Sequence, residues 1–167
     1  EKYYPQFVKN ILPVAHPDEL MAEFLKTEYA KREKVNPQDM VVISVSSCVA
    51  KKKIKNINLD HVMTVRELGR LIRQKNLKLS EIEKADFNKG LEMKNGKVKS
   101  LIKAGRAAEM MAGMVKGGYV AVDGVDRIKK VLKDLDKGRI NAKIIECMIC
   151  EGGCVNGGGQ TRIISKS

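Results

Sequence analysis

Three of the four cysteines in this 167-residue chain fall within eight residues, Cys147, Cys150 and Cys154, in the stretch ECMICEGGCVNGGGQ that spans positions 146 to 160. The same stretch holds Gly152, Gly153, Gly157, Gly158 and Gly159, too many for an ordinary helix or strand, because each glycine adds backbone entropy that folding must remove. Clustered thiols in a reducing compartment more often bind metal or do redox chemistry than form a disulfide framework. Glycines beside them let the backbone pass close to a bound group and aim N–H groups at anionic sulfur. A Cys-x3-Cys spacing alone is a weak signal; followed by VNGGGQ it is much more specific. The remaining cysteine, Cys48, closes a separate apolar run, MVVISVSSC.

The elements that must position these thiols alternate in type. HPDELMAEFLKTEYAKREK places Leu20, Met21, Phe24 and Leu25 near helical spacing, with acids early and bases late to complement a helix dipole. MVVISV, at 40 to 45, is a short β-branched run of the kind buried in parallel sheets. Val62 and Met63 give a brief strand signal, and Thr64 with Glu67 forms a capping box opening a helix through about Lys75. LEMKNGKVKSL reads as a hairpin about Asn95 and Gly96. KAGRAAEMMAGMV, 103 to 115, suggests another helix, in which Met110, Met111 and Met114 read as core filler in preference to copper ligands. YVAVDGV is a strand and turn, VDRIKKVLKDLDKG an amphipathic helix stopped by Gly138, and NAKIIECM a strand. Strands alternating with helices predict an α/β fold with a mostly parallel four-stranded sheet flanked by helices. In such sheets, sites lie beyond the carboxyl ends of the strands. Two of these strands run directly into cysteine, so Cys48, Cys150 and Cys154 are expected to converge on one metal centre.

Composition bounds the partners. With 43% hydrophobic residues the chain is long enough for one compact domain. No apolar run approaches the roughly 20 residues of a membrane span, and no signal peptide opens the chain, which reads as cytoplasmic. The start at Glu1, in EKYYPQF, suggests a piece of a longer protein. The net charge of +12 comes from 32 basic residues spread along the chain, and only 4% of residues are aromatic, which speaks against nucleic acid. A lysine-rich solvated surface is the simplest reading of that charge, and it also suits an acidic protein partner.

ECMICEGGCVNGGGQ closely resembles the last of the three cluster-binding motifs of iron-only ([FeFe]) hydrogenases. SSCVAKK, at 46 to 52, is similar to the middle motif, usually Met-Pro-Cys-x-x-Lys, and DHVMTVREL and the Tyr4-Pro5 segment also look like the family. The resemblance covers nearly all of residues 1–167 and implies the C-terminal lobe of the catalytic domain, with the first motif lying upstream. It implies that Cys48, Cys150 and Cys154 ligate the [4Fe–4S] cubane of the H-cluster. Cys154 would bridge to the two-iron part carrying CO, cyanide and a dithiolate. It further implies that Lys51 hydrogen-bonds a cyanide, an ammonium holding and neutralising an anionic ligand, and that Met148 packs beside the two-iron unit. Such a centre reversibly reduces protons to hydrogen. Its electrons come through other iron–sulfur domains of the same polypeptide, commonly from ferredoxin. The cofactor carries the chemistry while the protein supplies burial, orientation and hydrogen bonds.

The departures from the family pattern are specific. The first motif, which supplies the fourth cubane ligand and a proton-relaying cysteine, is absent, so the 167 residues alone are expected to fold without an intact, active cluster. Ser46 and Ser47 stand for Met-Pro, and Ile54 stands where the middle motif commonly ends in glutamate. A proton-path serine is replaced near Leu12, the stretch before residue 119 is shortened, and Cys147 is extra, read as a buried strand residue. His16 is expected at a helix start, His61 in a structural role, and Glu146 as a backbone anchor of the cysteine loop. The reading is an [FeFe] hydrogenase fragment. The alternatives are a hydrogen or redox sensor of low turnover and a non-catalytic iron–sulfur assembly protein without the two-iron unit.

Overall fold

The computed structural model describes residues 3–83, 103–113 and 117–161; the hairpin expected about Asn95 and Gly96, and Met114, lie outside these. Two compact units divide the chain, the first formed by Glu1–Ser44 and Lys52–Val62, the second by Val45–Lys51 and Met63–Ser167.

In the first unit, helix α1 (Pro17–Phe24) begins as the sequence suggests. His16 Nδ1 accepts from Asp18 N at 3.1 Å, and Glu19 Oε2 accepts from His16 N at 2.8 Å. These two bonds satisfy N–H groups that a helix start leaves orphaned. The chain continues through a π-helical turn, Leu25–Tyr29, into α2 (Ala30–Glu33), which ends at Lys34 with φ +56°. The buried helix face is made by Ala22 and Ala30 in place of the expected larger residues; Leu20 and Phe24 are exposed. Ala22, Val42 and Leu59 form a small core, with Leu25, Ile54 and Val62 packed against it. Lys26 Nζ stands 2.8 Å from Asp60 Oδ2, which also accepts from Val42 N at 2.7 Å. Both donors favour the ionised carboxyl, and Asp60 is held below the ordinary carboxylate range, first by the Lys26 hydrogen bond and then by the Val42 amide.

Strands β1 (Ile43–Ser46) and β2 (His61–Thr64) pair as a two-stranded sheet. In the second unit, Thr64 caps α3 (Val65–Gln74) through the expected box, its hydroxyl accepting from Glu67 N at 3.1 Å while Glu67 Oε2 accepts from Thr64 N at 2.8 Å. Helix α4 (Arg106–Ala112) is followed by β3 (Tyr119–Asp123), α5 (Val125–Asp136) and β4 (Ile144–Met148). Gly138, with φ +66°, ends the α5 segment in the left-handed region that favours glycine. β3 and β4 are parallel, with Tyr119 opposite Ile144 and Asp123 opposite Met148. This is a strand–helix–strand crossover.

All four expected strands are therefore present, but they pair two by two instead of forming one four-stranded sheet. Each strand is only four or five residues long, and no ladder joins the two pairs among the described residues. No large side chain among the described residues is fully buried.

Candidate metal centre

The whole set of site residues falls in the second unit. β1 ends at Ser46 and delivers Ser47, Cys48 and the 3-10 turn Val49–Lys53, while β4 ends at Met148 and delivers Ile149, Cys150 and the glycine loop. Cys48, Cys150 and Cys154 are half-buried free thiols. Burial pushes the Cys154 thiol up, the nearby Cys48 and Cys150 push it further, and the Lys51 ammonium pulls it down; a hydrogen bond with Cys48 also acts on it. The segment that carries Cys48 lies against the Cys154 turn, where the Ser47 hydroxyl meets the Cys154 carbonyl, and Lys51 and Cys150 lie near enough to Cys154 to act on its thiol. A thiol held protonated by its surroundings must release that proton to bind a metal.

Two backbone clamps hold the loop. At the carboxyl end of β3 the Asp123 carboxylate accepts from Gly152 N and from the Arg127 guanidinium, and Arg127 Nε donates to Asp123 O at 2.6 Å. Gly152 and Gly153 take φ +78° and +97°, a left-handed pair that sharpens the turn between Cys150 and Cys154. On the other side, Ser47 Oγ donates to Cys154 O, and Gly159 N donates to Ser47 O at 2.8 Å. Gly159 O in turn accepts from Arg66 N at 2.9 Å, satisfying an amide in the first turn of α3.

The glycine amides correct one expectation. Gly152 N goes to Asp123, Gly153 N to Cys150 O at 3.0 Å, Gly157 N to Cys154 O at 2.9 Å and Gly159 N to Ser47 O. These N–H groups are taken by protein oxygens rather than aimed at sulfur. The role of Gly157 and Gly159 is close approach: a Cβ on Gly157 would lie 2.3 Å from Ser47 O, and one on Gly159 would lie 2.8 Å from Thr64 Cβ.

Other expected residues fall as follows. Met148 ends β4, its carbonyl accepting from Gly124 N at 2.9 Å. Glu146 anchors backbone, but that of the α4 start and not of the cysteine loop: its carboxylate accepts from Gly105 N at 3.0 Å and Ala108 N at 2.7 Å. Cys147 lies on β4 as expected yet is exposed, on a strand with a single partner among the described residues, β3. His61 opens β2 and is exposed. Ile54 belongs to the first unit's core, and Leu12 is exposed. Sequence reading missed Ser47 and Asp123 as positioning groups, since a serine or aspartate at a strand end carries no pattern that names its distant acceptor or donor.

No three His, Cys, Asp or Glu side chains among the described residues stand at the spacing of a single bound ion. Three soft thiols with an ammonium near Cys154 are donor chemistry of the kind that an iron–sulfur group takes.

The family model for the iron-only hydrogenase large subunit, C-terminal domain, matches residues 1–158. The chain belongs to this family. Among its relatives, iron hydrogenase 1 of Clostridium pasteurianum is 24% identical over 211 residues, covering 99% of this chain and 36% of that protein. The matched span exceeds the 167 residues here, so the relative carries segments that this family member lacks. The mouse cytosolic iron-sulfur assembly component 3 is 21% identical, over 97% of this chain and 44% of its own length. A solved [FeFe]-hydrogenase from Chlamydomonas reinhardtii shares the fold with a TM-score of 0.70 at 18% identity, covering 98% of this chain and 59% of that one. This family member thus spans about a third to a half of the length of the curated relatives it matches. No helix among its described residues is long and apolar enough to cross a membrane.

Proposed function

We propose that this chain is the cysteine-bearing lobe of an iron-only hydrogenase catalytic domain. In this reading Cys48, Cys150 and Cys154 hold the [4Fe–4S] part of the H-cluster, and Cys154 also carries the two-iron part. The observation that carries the reading is that the Cys48 segment meets the Cys154 turn within one unit, the Ser47 hydroxyl on the Cys154 carbonyl, in a chain that the family model matches over residues 1–158. When bound, the group supplies reversible reduction of protons to hydrogen. The chain's own part is to present three thiols, to set the Lys51 ammonium beside an anionic ligand, where it holds and neutralises charge, and to place Met148 near the two-iron unit. The fourth cubane ligand comes from the upstream lobe of the same polypeptide. Electrons arrive from ferredoxin or another acidic carrier, a charge match for the +12 chain. Cytoplasmic placement belongs to the same reading, because free thiols keep best where glutathione and thioredoxin hold them reduced.

Infrared spectroscopy on the matured full-length protein tests this directly. Bands of bound CO and cyanide are expected, together with iron for a cubane. A four-iron cluster without those bands would overturn the hydrogenase reading in favour of the second one, a non-catalytic iron–sulfur assembly protein. That second reading is supported by the likeness to the mouse assembly component. Low turnover, as in a sensor, is favoured by two positions. Ile54 is packed into an apolar core and Leu12 is an exposed aliphatic side chain, and neither can pass a proton within hydrogen-bond reach of the next carrier. Hydrogen evolution at the rate of ordinary hydrogenases would sink the sensor form of the proposal.

A further inference from the structure

We infer that Ser47 is the positioning residue that sets the distance between Cys48 and Cys154 before any cluster is bound, by latching the two cysteine-bearing segments through both of its polar groups. The inference deepens the proposed function and concerns the same site. Ser47 immediately precedes Cys48, and its hydroxyl donates to the carbonyl of Cys154 itself, 107 residues away in sequence. Its carbonyl accepts from Gly159 N at 2.8 Å, five residues beyond Cys154. The segment that follows Cys154 is thus held at both ends by one residue, and the missing side chain of Gly157 lets it lie against the Ser47 carbonyl at a distance no Cβ would allow, while that of Gly159 lets it pack against Thr64.

The neighbouring serine supports the latch. Ser46 is buried, and its Oγ accepts from Cys48 N at 3.1 Å, fixing the turn that aims the Cys48 side chain. With the Ser46 hydroxyl on the Cys48 amide and the Ser47 hydroxyl on the Cys154 carbonyl, each ligand residue has a backbone group held by one of the two serines. A single hydroxyl bond biases its closed state by roughly 2- to 10-fold. Losing it should lower the ratio of closed to open arrangements by that factor rather than unfold the unit.

The test uses the full-length protein in its cluster-free form, with four variants at position 47. Ser47→Ala deletes the hydroxyl, and Ser47→Thr and Ser47→Val form a shape-matched pair that differs in the hydroxyl alone. A short dithiol-bridging reagent, followed by mass spectrometry of the linked peptides, reads the rate at which Cys48 and Cys154 are joined; Ser47→Gly checks the Ala result with another hydroxyl-free residue. The rate is expected to fall roughly 2- to 10-fold in the Ala, Gly and Val variants and to stay near the parent value in Thr. In cluster-loaded protein the midpoint potential of the four-iron centre is expected to move in Val and not in Thr. Equal cross-linking in Val and Thr overturns the inference whatever the cluster does. A parent protein that binds no iron–sulfur cluster overturns the functional reading and leaves the cross-linking comparison intact.

Discussion

Gly157 makes a demanding test of how tightly the two cysteine segments are interlocked. Its backbone, φ −62° and ψ 155°, is one that any residue adopts, so alanine brings no conformational penalty and the substitution reports space alone. The added Cβ would lie 2.3 Å from Ser47 O, 2.8 Å from the Ser47 carbonyl carbon and 3.1 Å from Cys154 O. Ordinary non-bonded contacts of carbon lie near 3.5 Å, so the Ser47 segment and the Cys154 turn must part by about 1 Å. A shift of that size lengthens the 2.8 Å bond from Gly159 N to Ser47 O beyond hydrogen-bond range and takes the Ser47 hydroxyl from Cys154 O. Overpacking costs about 1–3 kcal/mol and each lost bond about 1 kcal/mol net, so Gly157→Ala should cost roughly 3–5 kcal/mol locally. Hydrogen exchange on the full-length protein reads this out. Protection of the Gly159 and Arg66 amides is expected to fall by ~100-fold or more, at about 1.4 kcal/mol per factor of ten, with faster loss of the iron–sulfur chromophore to a chelator. Gly158→Ala is the control, because its Cβ would meet only Val49 Cγ2, at an ordinary 3.4 Å, and surface-type changes of this kind stay within about 0.5 kcal/mol. Equal protection in the two variants would refute the interlock.

In the full-length protein, Cys154→Ser is expected to lose the CO and cyanide infrared bands while Cys48→Ser chiefly loses cubane iron by Mössbauer spectroscopy, since a hydroxyl is a poorer iron ligand than a thiolate and only the first would sever a bridge; equal loss of both signals in both variants counts against the bridging role. Glu146→Ala strips the acceptor from the Gly105 and Ala108 amides and should destabilise α4 by about 2 kcal/mol, with Glu146→Gln milder because one acceptor oxygen remains; unchanged exchange of the α4 amides in the alanine variant would contradict the anchor. Asp60 is held below its ordinary value by Lys26 and the Val42 amide, so its contribution is complete above the unfolded-state carboxylate value and is lost as pH falls through the lower folded value. Protection of the Val42 amide should therefore decline only below the usual carboxylate range, and Asp60→Asn should remove that acid-dependent step.

The local elements were legible in the sequence because their causes are local. Thr64 and Glu67 are three residues apart and form the capping box wherever α3 is placed, His16 caps α1 for the same reason, and the β-branched run before Cys48 and the run before Cys150 are strands by pattern alone. The glycines around the cysteine triplet marked a loop in place of a helix or strand, since so many glycines disfavour both. Partners far apart in sequence depended on the tertiary structure. Pairing of four short strands as two separate pairs is set by long-range hydrogen bonding, which periodicity does not encode. Glu146 binds the α4 start 38 to 41 residues away, Asp123 reaches Gly152, and Ser47 reaches Cys154, none of them predictable from neighbours in the chain. Even the glycines kept part of their meaning for the folded state. Their number marked a loop, but only packing assigned their N–H groups to protein oxygens and gave Gly157 and Gly159 the task of letting two backbones touch, because a close approach is a property of both segments at once.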